Sequence, residues 1–554
     1  MSTHPTPRQI ADDYVEQLAD LNPVVATALG IRPGSDAMPD FSPSGEEALA
    51  DVARATLARL DAANGGHHAV EDVRCARLLR ERLTATLALH EAGESLRAIT
   101  NIGSPVHMIR QIFLMMPAAT ADDWGVIAKR LARVPDSIAS YRAALAEGMS
   151  RGLYAGPSRV AAAIGQLDEW VAGEGWYASF VASGPVELQP QLTEAATAAS
   201  VSLTELRDWL RSAYAPAAEG TPEPAGAERY ALNARYWTGS DLDLAEAYAW
   251  GWEEYRSLEA EMLQAAGQIV PGVSIAEAIA YLNENGEAIE GVEEVRAWLQ
   301  RLMDDTIADL DGTHVDLAEP VRTVEAMIAP PGSAAAPYYT RPSLDFSRPG
   351  RTWLPTMGRT RFPTWSLVST WYHEGVPGHH LQLAQWAYLA DRLSRYQVSV
   401  GSVSANVEGW ALYAERLMDE LGYLTDPGVR LGYLDKQRMR AIRVVIDIGM
   451  HLELDVPADS PIAPGERWTP ALAREFFGAH SGMTPEFLDS EIIRYLGWPG
   501  QAIGYKLGQR AWLAGREAAR RNRGPDFDLK TWHMAALSMG SLGLDDLTDE
   551  LAIL

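Results

Sequence analysis

The chain has 554 residues, and 47 Lys and Arg against 74 Asp and Glu give it a formal net charge of −27. No basic run offsets that balance, which argues against nucleic acid and against anionic membrane surfaces as partners, because both need clustered Lys and Arg. The single cysteine, Cys75, excludes an internal disulfide framework, a Cys-rich zinc site and a CxxC redox motif, so any metal must be held by His, Asp and Glu.

The opening residues MSTHPTPRQIADDYVEQL lack an apolar h-region, and no apolar run approaches the ~18 residues of a membrane span. The expectation is a soluble, cytoplasmic protein of unknown oligomeric state, with no membrane partner. Apolar residues at spacings of three and four predict a helix over 70–92, with Cys75 as a small core residue. Thr120 and the acids after it predict a helix start, running to about 152. Further helices are predicted over 157–181, 190–214, 242–267, 274–284 and 291–310. Pro and Gly clusters at 216–226, 270–274 and 329–337 read as loops, with 216–226 the best linker candidate. The Gly-rich stretch ANGGHHAV, with His67 and His68, reads as an exposed turn.

The pattern changes near 320. VRTVEAMIAP (321–330), PYYT (337–340) and RTWLPTM (351–357) predict short strands, after which helical patterns return. The fold class is therefore mostly α with a small sheet. The expected organisation is an N-terminal helical lobe, 1–320, and a second, metal-site lobe, 321–554, as parts of one integrated unit.

Three histidines fall within eight residues: His373, His379 and His380, in WYHEGVPGHHLQ. The HExxH zinc motif places two His one turn apart with a Glu beside the metal. Here Pro377 stands in the second His position. On a continuous helix His373 and His379 are ~9 Å apart along the axis and ~120° out of phase, and His380 lies ~10.5 Å along. Neither arrangement serves one metal. Gly375, Pro377 and Gly378 interrupt a helix, and a bulge of about two residues restores an HExxH-like pair. A polar helix break with incidental histidines fits the same residues. Glu408, in SVSANVEGWALYAERL, is the third-ligand candidate, and two His plus one Glu leave a catalytic position open. Its plainer reading is a first-turn acid on a helix.

HEGVPGHH (373–380), VEGWALYAE (407–415), RVVIDIGMH (443–451) and WPGQAIGYKLG (498–508) together resemble the bacterial proteins grouped as domain-of-unknown-function family 885. More weakly, YYTRPSLDFSRPG (338–350) and LKTWHMAALSMGSLGLDDL (529–547) extend the resemblance over most of the chain. That family is similar to helical gluzincin peptidases of the thimet, Taq-carboxypeptidase and angiotensin-converting-enzyme types. The resemblance implies two helical lobes around a deep cleft, a short sheet beside the metal, and one zinc per chain. It implies His373, His379 and Glu408 as ligands, with His380 the alternative to His379, and Glu374 as general base.

Arg443, Asp447 and His451 share one helix face. They either line the cleft, with Arg443 or His451 on substrate and Asp447 supporting Arg443, or brace the helix internally. Tyr505 matches a tyrosine that stabilises the oxyanion in related enzymes, with His451 a second candidate for that catalytic role; a core tyrosine is the plainer reading of Tyr505. Tyr338 and Tyr339 sit on a predicted strand of the kind that binds substrate main chain, one facing the cleft and the other the core. The expected function is a zinc metallopeptidase acting on peptides. A metal-dependent hydrolase or lyase acting on a small amide, and a binding protein that keeps the fold without turnover, are the alternatives.

Overall fold

The protein is described by a computed structural model over residues 5–63, 68–330 and 336–554. His67 and the middle of the 329–337 cluster lie outside those residues. The chain is mostly helical, and each predicted helix has a counterpart. Val70–Glu91 and Ile275–Asn285 match their expected bounds, the latter with a Ser274/Glu277 capping box. Two predicted helices are divided. The 120–152 stretch forms Ala121–Leu131 and Val134–Ser150, because Pro135 is tolerated only in a first turn. The 157–181 stretch forms Pro157–Val171 and Trp176–Val181, parted by a turn with two positive-φ glycines, Gly173 and Gly175. Among the described residues, no helix is long and apolar enough to cross a membrane.

The predicted strands form a three-stranded sheet. β2 (Val324–Ile328) pairs in parallel with β4 (Gly350–Leu354), and β3 (Tyr338–Thr340) pairs antiparallel with β4, Tyr338 opposite Trp353 and Tyr339 opposite Thr352. β3 is therefore an edge strand. Two further short strands, β1 (Ala288–Glu290) and β5 (Arg361–Pro363), pair antiparallel with each other.

Packing does not divide at 320. The larger apolar core includes Leu317, Val321 and Val324 together with Ile10, Leu79, Trp252, Trp410 and Trp512. A separate core is built from residues 99–218, around Ile109, Tyr141 and Leu206. Cys75 is buried in the larger core, and burial pushes its thiol up to about 12. The 216–226 stretch is helical to Ala218 and is pinned at its far end, where Gly226 N–H bonds the His451 carbonyl at 3.1 Å.

Two helices carry the site's later residues, Ser404–Glu420 and Gly504–Arg523. They cross at Gly409 and Gly508, where a Cβ on Gly409 would lie 2.4 Å from the Gly508 carbonyl carbon. Side chains larger than hydrogen would force these helices apart, and with them Glu408 and Tyr505.

Candidate metal centre

The first site helix, Val368–Glu374, brings Ser369, His373 and Glu374. It stops at Gly375, and a new helix, His379–Tyr388, begins after Gly378. Between them the Gly378 N–H bonds the Tyr372 carbonyl at 3.0 Å, the His380 N–H bonds the Gly375 carbonyl at 3.1 Å, and the Val376–Pro377 peptide is cis. A Cβ on Gly378 would come within 2.0 Å of the His373 carbonyl oxygen, so the break is closed too tightly for a larger residue. The helix interruption read from Gly375, Pro377 and Gly378 is present, and it turns His379 back toward His373: the ring centres are 4.7 Å apart. Trp410 anchors the break, its indole N–H donating to the Pro377 and Gly378 carbonyls at 2.9 and 3.1 Å.

Glu408 completes the cluster. Its Oε2 lies 3.4 Å from His373 Nε2 and 3.5 Å from His379 Nε2. One ligand atom from each of the three residues falls within 4.8 Å of the others. Tetrahedral coordination with bonds of about 2.0–2.1 Å places neighbouring ligand atoms roughly 3.3–3.4 Å apart, so the two short separations suit a zinc-sized cation. Glu408 Oε2 is a buried acceptor without a satisfying hydrogen bond, the kind of atom a cation would satisfy. The Glu408 side chain keeps 22 % exposure, so the cluster reaches solvent through it.

A third carboxylate at the site sets the orientation of His373. Glu415 is fully buried, with Oε1 2.8 Å from His373 Nδ1. A carboxylate only accepts, so Nδ1 carries the proton and Nε2 faces Glu408, the arrangement usual behind metal-bound histidines. Glu415 Oε2 accepts from Ser369 Oγ at 2.7 Å and Gln437 Nε2 at 3.4 Å, and Arg440 lies 3.6 Å from Oε1. The local electrostatics follow. Burial opposes charge on His373, but Glu408 and Glu415 raise it to about 9. Burial works to raise Glu408, yet its two imidazole partners hold it well below the usual carboxylate range. Glu374, buried beside the pair, is pushed up by desolvation.

Tyr505 is drawn into the same site. Its phenol makes no hydrogen bond among the described residues, and burial and the Glu408 charge push it up to about 12. The guanidinium carbons of Arg443 and Arg440 lie 5.2 and 5.9 Å from its ring centre.

Other expectations end elsewhere. His380 is turned away from the cluster: its Nε2 donates to the Val321 carbonyl at 2.8 Å and its Nδ1 accepts from the Tyr339 hydroxyl at 2.9 Å. Both nitrogens are used, so the alternative ligand has no lone pair to give. His451 is likewise closed, accepting from Ala225 N–H at 3.0 Å and donating to the Tyr495 carbonyl at 3.1 Å. It braces the helix Pro427–Leu452 and does not face an oxyanion. Asp447 does not pair with Arg443. It accepts from Tyr230 Oη at 2.7 Å and Gly500 N–H at 2.9 Å, while Arg443 donates to Glu491 at 3.1 Å. Tyr338 stacks on Trp353 and Tyr339 holds His380.

The sequence reading missed Glu415 and Trp410. A signal existed: Glu415 lies seven residues after Glu408, two helical turns along the same face, in an otherwise apolar stretch.

Two solved structures resemble the whole chain. "The putative lipoprotein from Colwellia psychrerythraea" superposes with a TM-score of 0.82 at 22% identity, covering 99% of this chain and 98% of its own. "A putative lipoprotein of unknown function from Shewanella oneidensis" has a TM-score of 0.76 at 16% identity, covering 99% and 100%. At such identities the likeness establishes the fold. No curated protein matches. The model of one family, described as bacterial protein of unknown function (DUF885), matches residues 23–551, and the chain belongs to that family.

Proposed function

We propose that the protein is a zinc-dependent hydrolase of the gluzincin type, cleaving peptides. The observation that carries this reading is the convergence of His373 Nε2, His379 Nε2 and Glu408 Oε2 at zinc-ligand spacing, with the buried carboxyl of Glu374 beside them. A zinc ion held there supplies Lewis acidity and lowers the pKa of water. Glu374 takes the proton of the attacking water and returns it to the departing amine, and a carboxyl raised by burial suits both directions. Tyr505 stays protonated and donates its O–H to the oxygen on which negative charge develops. Arg443 and Arg440 place positive charge beside the Tyr505 ring. The outer edge of β3 offers backbone groups to an extended peptide.

Elemental analysis of folded protein purified without chelators should find about one zinc per chain. Glu374→Gln should keep that zinc and lose roughly 10²–10⁴-fold in turnover on a peptide library. A folded protein that takes up no zinc, or unchanged turnover in the variant, overturns the proposal. Turnover confined to a panel of small amides would move the substrate and keep the chemistry. Cell fractionation would separate the expected cytoplasmic place from the one implied by the description of the two solved relatives as lipoproteins.

A further inference from the structure

A cavity of about 470 Å³ lies where residues 94–104, the helix Pro157–Val171, the helix Ala227–Thr238 and the turn at Gly497–Trp498 meet. It shares no lining residue with the metal cluster. Its walls come from both apolar cores, and the apolar lining includes Leu18, Leu49, Leu87 and Trp498. Three arginines also line it: Arg97, Arg159 and Arg229. In a chain of net charge −27, such a grouping is unusual.

Two of the three are accounted for. Arg229 makes a bidentate pair with Glu94, at 2.7 and 2.8 Å. Arg97 lies 3.1 Å from the same carboxylate and donates to the Ala92 carbonyl at 2.9 Å. Arg159 differs. It is 2 % exposed, yet its guanidinium makes no hydrogen bond and no ion pair among the described residues, and its Nε is a buried donor without a partner. Glu223 is an internal candidate, but it makes no hydrogen bond or ion pair to Arg159: its Oε1 accepts from the Ser158 N–H at 2.6 Å, its Oε2 is a buried acceptor without a partner, and it acts on Arg159 only through space. Burial and Arg229 lower Arg159 to about 10, which leaves it charged at neutral pH.

A buried guanidinium is retained when something pairs with it. The planar fork fits a carboxylate through two parallel hydrogen bonds. Glu94 is shared by Arg229 and Arg97, and Glu223 is held by the Ser158 N–H, so Arg159 is the one guanidinium of the three with no paired counter-charge among the described residues. One unpaired fork takes one carboxylate, which sets the ligand's charge at a single anion. We infer that this cavity is a binding site for a small monocarboxylate with an apolar body, its carboxylate on Arg159 and its body against the leucines and Trp498.

The probe is 4-phenylbutyrate, titrated calorimetrically into the full chain. Two controls accompany it: 4-phenylbutanol, with the body but not the charge, and inorganic phosphate, with charge but not the body. The acid should bind at least tenfold more tightly than either control, and Arg159→Met should weaken it at least tenfold. Binding that survives in Arg159→Met, as it would if the acid sat on a metal at the other site, overturns the inference. So does equal binding of the alcohol, or no binding of the acid. Should Arg159→Met fail to fold, the melting temperature of the unmodified protein decides: it rises with the acid and not with the alcohol, and equal shifts or none count against the site.

Discussion

Replacing Glu415 with Gln tests whether this buried carboxylate orients a metal ligand. The substitution keeps the shape and removes the charge. The amide oxygen can still accept from His373 Nδ1, where Glu415 Oε1 sits at 2.8 Å. The amide nitrogen then faces Ser369 Oγ and Gln437, both donors to Glu415 now, at 2.7 and 3.4 Å. The hydroxyl can rotate to accept, and the Gln437 amide can flip. What cannot be replaced is the charge that makes His373 a stronger donor to a cation. Loss of such an outer partner typically weakens metal binding 10–100-fold, or about 1.4–2.7 kcal/mol. Arg440, 3.6 Å from Glu415 and nearly buried, loses its counter-charge too, so the fold should weaken by about 1–3 kcal/mol. Competition with a chromophoric chelator measures the zinc affinity, and thermal unfolding of the zinc-free protein measures the second effect. Zinc affinity equal to the parent protein would refute the orienting role, whatever the stability change.

Three other outcomes are expected. His379→Ala should abolish stoichiometric zinc, whereas His380→Ala should keep it and lower the melting temperature, because Tyr339 and the Val321 carbonyl lose their partner; the reverse pattern in zinc analysis would reassign the ligand. Tyr505→Phe should leave zinc affinity unchanged and lower kcat roughly 10²-fold, the cost of one missing oxyanion donor; unchanged kcat would make Tyr505 a packing residue. Asp447, raised by burial to about 7, binds a proton in the folded state that the unfolded chain has released above about 4. Stability should therefore fall as pH rises from about 4 to 7, relative to Asp447→Asn, by a few kcal/mol; a difference in unfolding free energy that is flat across that window would place the Asp447 pKa near its ordinary value.

The local rules explain much of what was legible in the sequence. Helix periodicity, caps and the β-rich stretch near 320 are nearest-neighbour properties, and the structure reproduces their order, with Pro135 and the Gly173–Gly175 turn dividing two helices that periodicity had joined. The helix break after Glu374 was also legible, since Gly375, Pro377 and Gly378 act on their own backbone. Hydrogen-bond partners are a different matter. His379 and His380 are adjacent, and no local pattern says which faces Glu408 and which faces Tyr339. Arg443 and Asp447 sit one turn apart, yet Glu491 and Tyr230, 48 and 217 residues from their partners, take them up. The sequence by itself determined the elements, the break and the ligand types, because those depend on chain-local sterics and donor chemistry. Only the tertiary structure decided which buried polar atom meets which, because each must be satisfied by whatever distant helix the packing brings beside it.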